Sequence, residues 1–158
     1  MMKRTPLILL TALLLVFVTA CGGNKSQTPD ADLEGFYGEL EQEFGWESLV
    51  PTEGEMLETY YPGLGDLNTK QLIAVAPMMS AVVNEMVFLE AESEKEAIQA
   101  EAILQKRLDD QIAGGAWYPE SIAAWEKGEV IREGTFVALI ASNERQEEVA
   151  ERFRALFE

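Results

Sequence analysis

Two charged side chains stand where the surrounding pattern predicts an apolar environment. Glu85 falls on one face of a predicted strand, and the rest of that face is apolar, with Val87, Leu89 and Ala91. Arg107 falls inside the apolar arc of a predicted helix over residues 94–112, an arc that otherwise contains Ala97, Ala100, Ile103, Leu104 and Leu108. A buried charge is tolerated only with a partner. We therefore expect Glu85 and Arg107 to meet between sheet and helix.

A carboxylate paired with a guanidinium can serve two purposes. It can be a structural ion pair that fixes the register of a helix on a sheet, which is the commoner use of buried pairs. It can also form a polar site, to which Tyr118 would contribute, that holds a small ligand or a partner's carboxylate. The structural role is the first interpretation of Glu85 and Arg107, and the ligand site is the alternative.

The residue types that are absent exclude several kinds of enzyme. The sequence has no histidine and a single cysteine, Cys21. It therefore has no His-based triad and no His-ligated metal site, and acylation of Cys21 would remove the only thiol. A hydrolase with two carboxylates would need Glu85 together with Glu90 or Glu92, which project to opposite faces of the strand. We expect a protein that is not an enzyme, with no cofactor and no metal site.

Cys21 is the one residue with a predicted covalent chemistry. It follows a leader in which Lys3 and Arg4 precede an apolar run over residues 7–20. As a helix this run reaches roughly 21 Å, less than the ~30 Å of a bilayer's hydrocarbon core. The segment Val18–Cys21 resembles a bacterial lipobox, in which the cysteine thiol receives a diacylglycerol. We expect residues 1–20 to be a cleaved signal peptide and Cys21 to anchor the protein on the extracytoplasmic face of the cell membrane. An ordinary soluble signal peptide and an uncleaved anchor are the alternatives.

The charge of the chain restricts its partners. There are 12 basic and 28 acidic residues, a formal net charge of −16. Such a surface predicts no nucleic-acid partner and is repelled by anionic lipid. Residues 21–31, which comprise the lipidated cysteine and a stretch rich in turn formers, are expected to be a flexible tether of roughly 17 Å root-mean-square span. The domain is thus expected to stand off the membrane.

The remaining residues, 32–158, are predicted to form one α+β domain. Apolar periodicity and turn residues predict helices over 33–44, 53–59, 94–112, 119–125 and from 144 onward, and strands over 72–79, 85–92, 129–132 and 135–142. Thr52, Ser93 and Asn143 are the predicted N-terminal caps. Pro77 predicts an edge strand or a bulge.

The order of these elements suggests a four-stranded antiparallel sheet made of two hairpins, each followed by helix, with the helices packed on one face. Residues 135–142 are apolar on both alternations and should form a central strand. The aromatic residues Trp117, Tyr118 and Trp125 are expected in the core, and a binding groove that they form with Tyr60 and Tyr61 is the alternative. The pair Met78–Met79 is expected to fill gaps in packing, with a pliable contact surface as the alternative.

Several short motifs recur in a known family. They are Tyr61–Leu64, Pro77–Ala81, Asn84–Glu85, Arg107, Tyr118–Pro119, and Gly134 before an aromatic-aliphatic strand. From about residue 60 to residue 158, the chain resembles Gram-positive bacterial lipoproteins with the domain of unknown function 4358. Glu85 and Arg107 correspond to recurring charged positions of that pattern, whereas Phe136 stands where a tyrosine is expected. The resemblance implies a fold and a location but no activity.

Anchor, acidity and missing catalytic groups together predict a membrane-anchored extracytoplasmic lipoprotein. Its expected role is that of a non-enzymatic binding or scaffold module of the cell envelope, whose partner is an envelope protein or a surface component. The alternative is a small-molecule or cation-binding lipoprotein that uses the region of Glu85 and Arg107.

Overall fold

The computed structural model describes residues 30–46, 48–79 and 82–158. The predicted signal peptide, Cys21 and most of the predicted tether lie outside the described residues. The strands are β1 (Leu49–Pro51), β2 (Thr69–Pro77), β3 (Asn84–Ala91), β4 (Glu129–Glu133) and β5 (Phe136–Ser142). The helices are α1 (Leu33–Phe44), α2 (Gly54–Tyr60), α3 (Glu94–Asp110), α4 (Pro119–Lys127) and α5 (Gln146–Ala155). A short 3₁₀ turn, Leu64–Asp66, follows α2, and a π-helical turn, Gln111–Gly115, extends α3.

The sheet is antiparallel throughout and has five strands in the order β1-β2-β3-β5-β4. The prediction of four strands is wrong because β1 has only three residues, too few for an alternating pattern. Since β1 pairs with β2, the strand that ends at Pro77 is not an edge strand. Its register irregularity lies between Thr69 and Gln71, at the other end of β2.

Helices cover both faces of the sheet, which corrects the expectation of helices on one face. One core cluster joins α1 and α5 to the face that includes Met86 and Phe88, and the other joins α3 and α4 to the face that includes Val87 and Leu89. Every residue of β5 is buried, as a central strand requires, and the prediction that it is central is confirmed. A strand that is apolar on both alternations needs cover on both sides.

One of the three predicted N-terminal helix caps is present in the structure, and two are not. The Oγ of Ser93 accepts a hydrogen bond from the backbone N–H of Glu96, so the cap predicted for α3 is confirmed. The predictions for Thr52 and Asn143 are wrong, because α2 is preceded by Glu53 and α5 by Arg145, neither with a side-chain cap bond. The side chain of Asn143 is used instead in contacts with distant parts of the chain.

Candidate functional site

The structure brings Glu85 and Arg107 together in a bidentate ion pair. Glu85 is the second residue of β3 and points to the face covered by α3, whose last turn contains Arg107. Nε of Arg107 donates to Oε1 of Glu85 and Nη2 donates to Oε2, each at 2.8 Å. The Glu85 side chain is 6% exposed and that of Arg107 16%. Two parallel bonds of this kind fix the orientation of both side chains.

A tyrosine hydroxyl completes the coordination of the Glu85 carboxylate. Tyr61, fully buried and directly after α2, donates its hydroxyl to Oε1 of Glu85 at 2.7 Å. Burial, followed by the nearby negative charge of Glu85, raises the pKa of Tyr61 well above its ordinary value. Burial acts to lower the pKa of Arg107, but the hydrogen bonds and charge of Glu85 outweigh it and leave that pKa raised. The hydroxyl therefore stays protonated and the guanidinium stays charged.

Two aromatic rings flank the guanidinium. The Cζ atom of Arg107 lies 4.4 Å from the centroid of the Tyr60 ring and 5.5 Å from that of Trp125. These are cation–π distances, and such contacts stabilise a partly desolvated cation. Trp125 was expected in the core and lies there, whereas the contacts of Tyr60, Tyr61 and Trp125 with the ion pair were not predicted. The motif at Tyr61 was the available signal.

Two cavities adjoin Arg107. The first, of about 210 Å³, is lined by Tyr60, Ala76, Pro77, Met78, Val82, Val83, Glu85, Arg107, Gln111 and Trp125. The second, of about 220 Å³, is lined by Thr59, Tyr60, Pro62, Ile103, Lys106, Arg107 and Asp110. We call the first one the Arg107 cavity. The ion pair is thus reached from outside the core, and among the described residues Nη1 of Arg107 donates no hydrogen bond.

Tyr118 does not join the pair. It precedes α4, its side chain is 54% exposed, and it is not among the residues that line the Arg107 cavity. Trp117 is exposed as well, so the prediction that Trp117 and Tyr118 lie in the core is wrong. Met78 and Met79 are also exposed, so the prediction that they fill gaps in packing is wrong. Trp117 and Tyr118 lie in the segment between α3 and α4.

These exposed residues belong to segments that meet at one end of the sheet. The Oδ1 atom of Asn143 accepts from the backbone N–H of Val83 at 2.8 Å, and its Nδ2 atom donates to the carbonyl of Glu120 at 3.3 Å. Asn143 thereby joins the β2–β3 connection to the start of α4. We use the name apolar surface for the exposed side chains of these two segments: Met78, Met79, Val82, Trp117 and Tyr118. Clustered exposed apolar residues mark interaction sites more often than scattered ones do.

Glu90, the second buried carboxylate of β3, contacts residues of β2 instead of Arg107. Glu90 accepts from Nζ of Lys70 at 2.6 Å and from Nε2 of Gln71 at 3.1 Å, on the face opposite Glu85. Glu85 and Glu90 therefore do not converge on one substrate position.

Within the described ranges, no group of three or more acidic, Cys or His residues is placed to hold a metal ion. None of the described helices is both long and apolar enough to cross a bilayer.

The fold and site are those of a mixed α/β domain with an antiparallel sheet and a paired charge beside a small cavity. The chain belongs to the family described as Domain of unknown function (DUF4358), which matches residues 44–142. The match begins earlier than the resemblance noted above and ends before α5. No curated protein and no solved structure shows significant similarity to the chain.

Proposed function

We propose that the protein is a membrane-anchored extracytoplasmic lipoprotein that acts as a non-enzymatic binding module of the cell envelope. Residues 1–20 are its signal peptide, Cys21 carries the diacylglycerol, and residues 21–31 are the tether. The single observation that supports a binding role best is the apolar surface beside the Arg107 cavity. Met, Tyr and Trp are enriched in protein interfaces, and here they are exposed on two segments that the side chain of Asn143 joins.

The geometry of Glu85 argues against its use as a catalytic base. Its Oε1 atom accepts from both Tyr61 and Arg107, and its Oε2 atom accepts from Arg107. To accept a proton from a substrate, either oxygen would have to give up a hydrogen bond to a permanently charged guanidinium. The pair is better suited to hold the cavity wall in one shape.

The anchor is tested by metabolic labelling with an alkyne-tagged fatty acid in the native host. The wild-type chain is expected to carry label and to stay with the membrane fraction, because two acyl chains hold a protein stably. The Cys21→Ser variant is expected to lose label. Unlabelled wild-type protein of mature mass would contradict the lipoprotein proposal without bearing on the apolar surface.

The binding role is tested by site-specific photo-crosslinking in intact cells. A benzophenone amino acid replaces Tyr118 in one variant and Ile98 in a matched control, since each of these side chains is 54% exposed. A discrete adduct with an envelope protein or surface component is expected at position 118 and not at position 98. Identical patterns at both positions would contradict docking at the apolar surface.

A small-molecule or cation-binding lipoprotein is the second candidate function. It is supported by the Arg107 cavity, whose exposed lining is more polar than apolar and includes Glu85, Arg107 and Gln111. At about 210 Å³ the cavity is smaller than the ~300–1,000 Å³ of typical ligand pockets. A bound ligand would raise the melting temperature in a metabolite and metal panel. Flat melting curves across that panel would remove this candidate.

A further inference from the structure

The described chain begins at the end of the sheet opposite the apolar surface. The backbone N–H of Leu33 donates to Oε1 of Gln71 at 2.8 Å, and Nε2 of Gln71 donates to the carbonyl of Ala31 at 2.8 Å. Gln71 lies near the start of β2, whereas Pro77 at its end lines the Arg107 cavity. Six residues of strand separate them, roughly 20 Å at ~3.3 Å per residue. A tether attached at Ala31 therefore leaves the apolar surface on the far side of the domain.

Unpaired charge around the apolar surface is mainly acidic. Residues 77–84, 109–120 and 141–144 contain four acidic residues and no lysine or arginine. The four are Asp109, Asp110, Glu120 and Glu144, and all are exposed. The basic residues next to these segments are each paired with a carboxylate: Lys106 with Asp110, Arg107 with Glu85 and Arg145 with Glu148. Charge of this sign attracts a basic partner and repels an anionic one.

The Arg107 cavity shares Met78 and Val82 with the apolar surface. It lies below the usual volume of a metabolite pocket, and its exposed lining is more polar than apolar, so a partner's apolar contacts fall on the apolar surface beside it. Interfaces obtain most of their affinity from a few anchor residues, with Trp and Tyr prominent among them. The neighbouring exposed Trp117 and Tyr118 supply contact area at low entropic cost.

We propose that the apolar surface docks a basic polypeptide segment through an apolar or aromatic side chain of that segment, which packs against Met78 and Trp117, on the side of the domain that faces away from the bilayer. This inference rests on the proposed function as a lipid-anchored binding module. The occupant is a protein, because the four carboxylates and the distance from the tether both disfavour an anionic lipid surface.

The test uses the lipidated mature chain in vesicles of phosphatidylcholine and three labelled synthetic peptides of equal length. One has a central Phe flanked by Lys, one a central Ala flanked by Lys, and one a central Phe flanked by Glu. Fluorescence anisotropy is expected to show roughly tenfold or more tighter binding of the first peptide than of either other. Trp117→Ser with Met78→Ser is expected to abolish this preference, and Ile98→Ser to keep it. Equal binding of the Glu peptide, or an unchanged preference in the double variant, would overturn the proposal.

An experiment with vesicles distinguishes failure of the docking proposal from failure of the proposed lipid anchor. Unlipidated Cys21→Ser protein is mixed with phosphatidylglycerol vesicles and followed by flotation, and no binding is expected. Flotation that is lost on Trp117→Ser would show that the surface contacts lipid and would overturn the choice of partner. If instead the peptide preference holds while the wild-type chain carries no fatty acid in cells, the anchor fails and the docking site stands.

Discussion

Arg107 donates two hydrogen bonds to the two carboxylate oxygens of Glu85, which precedes it by 22 positions, each bond at 2.8 Å. The pair joins the last turn of α3 to the start of β3, and the hydroxyl of Tyr61 joins the residue after α2 to the same carboxylate. The Glu85 carboxylate of β3 thus forms hydrogen bonds both with α3 and with the residue that follows α2. Removal of any one of these groups leaves another polar group buried without its partner.

Arg107→Met is expected to lower the free energy of unfolding by about 3–5 kcal/mol, because the Glu85 carboxylate stays buried without its counter-charge. Urea denaturation measures the change. Lys106→Met is the matched control: its exposed pair with Asp110 is expected to contribute less than about 1 kcal/mol. An unchanged midpoint for Arg107→Met would contradict the structural importance of the pair.

A double replacement separates the contribution of the ion pair to stability from the contribution of side-chain packing at the same two positions. Glu85→Met with Arg107→Met removes both charges together and retains apolar volume at both positions, so it is expected to be less destabilising than the sum of the single changes. A double-mutant cycle in urea measures the coupling. Strict additivity would show that the two side chains act independently, contrary to their contact.

Alkaline pH should destabilise the protein through Tyr61. Its folded-state pKa is raised by burial, so the unfolded chain releases the proton near pH 10 while the folded chain keeps it. The associated stability is complete below about pH 10 and declines above it, by about 1.4 kcal/mol per pH unit for one proton. In Tyr61→Phe the decline of stability with pH should be shallower, although the stability of this variant at neutral pH is lower.

Tyr37→Phe is the comparator. Burial raises the pKa of Tyr37 to about 12, so Tyr37 should make a separate contribution to the decline of stability with pH. Identical slopes for wild type and Tyr61→Phe would be the contrary result.

Thr52→Val is expected to stabilise the fold. The Thr52 hydroxyl is buried and has no hydrogen-bond partner among the described residues, while its backbone N–H is satisfied by the carbonyl of Ala74. An apolar group of similar shape removes the desolvation cost and should add about 1 kcal/mol. Thr59→Val, whose exposed hydroxyl donates to Glu55, is the control and should not stabilise. A loss of stability in Thr52→Val would mean that the hydroxyl has a partner.

Asn143→Ala is expected to weaken the attachment of the β2–β3 connection to the start of α4, which carry the apolar surface. It removes the acceptor of the Val83 N–H and the donor to the Glu120 carbonyl, so a loss of about 1–2 kcal/mol is expected. Hydrogen exchange of the Val83 amide should become faster. Asn68→Ala removes a comparable contact, with Glu96, at the other end of the sheet and should leave that exchange rate unchanged. Equal protection of Val83 in Asn143→Ala and wild type would contradict this role.

The elements that could be predicted are those with a long apolar period. Helices α1 and α3 and strands β3 and β5 each repeat their apolar residues often enough to fix both type and approximate bounds. Strand β1 has no such repeat, and it forms because it pairs with β2. Asn143 looked like a helix cap by its local position, but Val83, 60 positions away, competes for the same side chain.

The sequence by itself determined which two charges had to be paired, since Glu85 and Arg107 each interrupt an apolar period and a charge so placed needs a counter-charge. Only the tertiary structure decided what surrounds them. The rings of Tyr60 and Trp125, the hydroxyl of Tyr61 and the adjoining cavity come from segments far apart in the chain. The physical reason is that burial and periodicity act along a single element, whereas the packing of several elements sets which side chains touch and which, like Tyr118, face solvent.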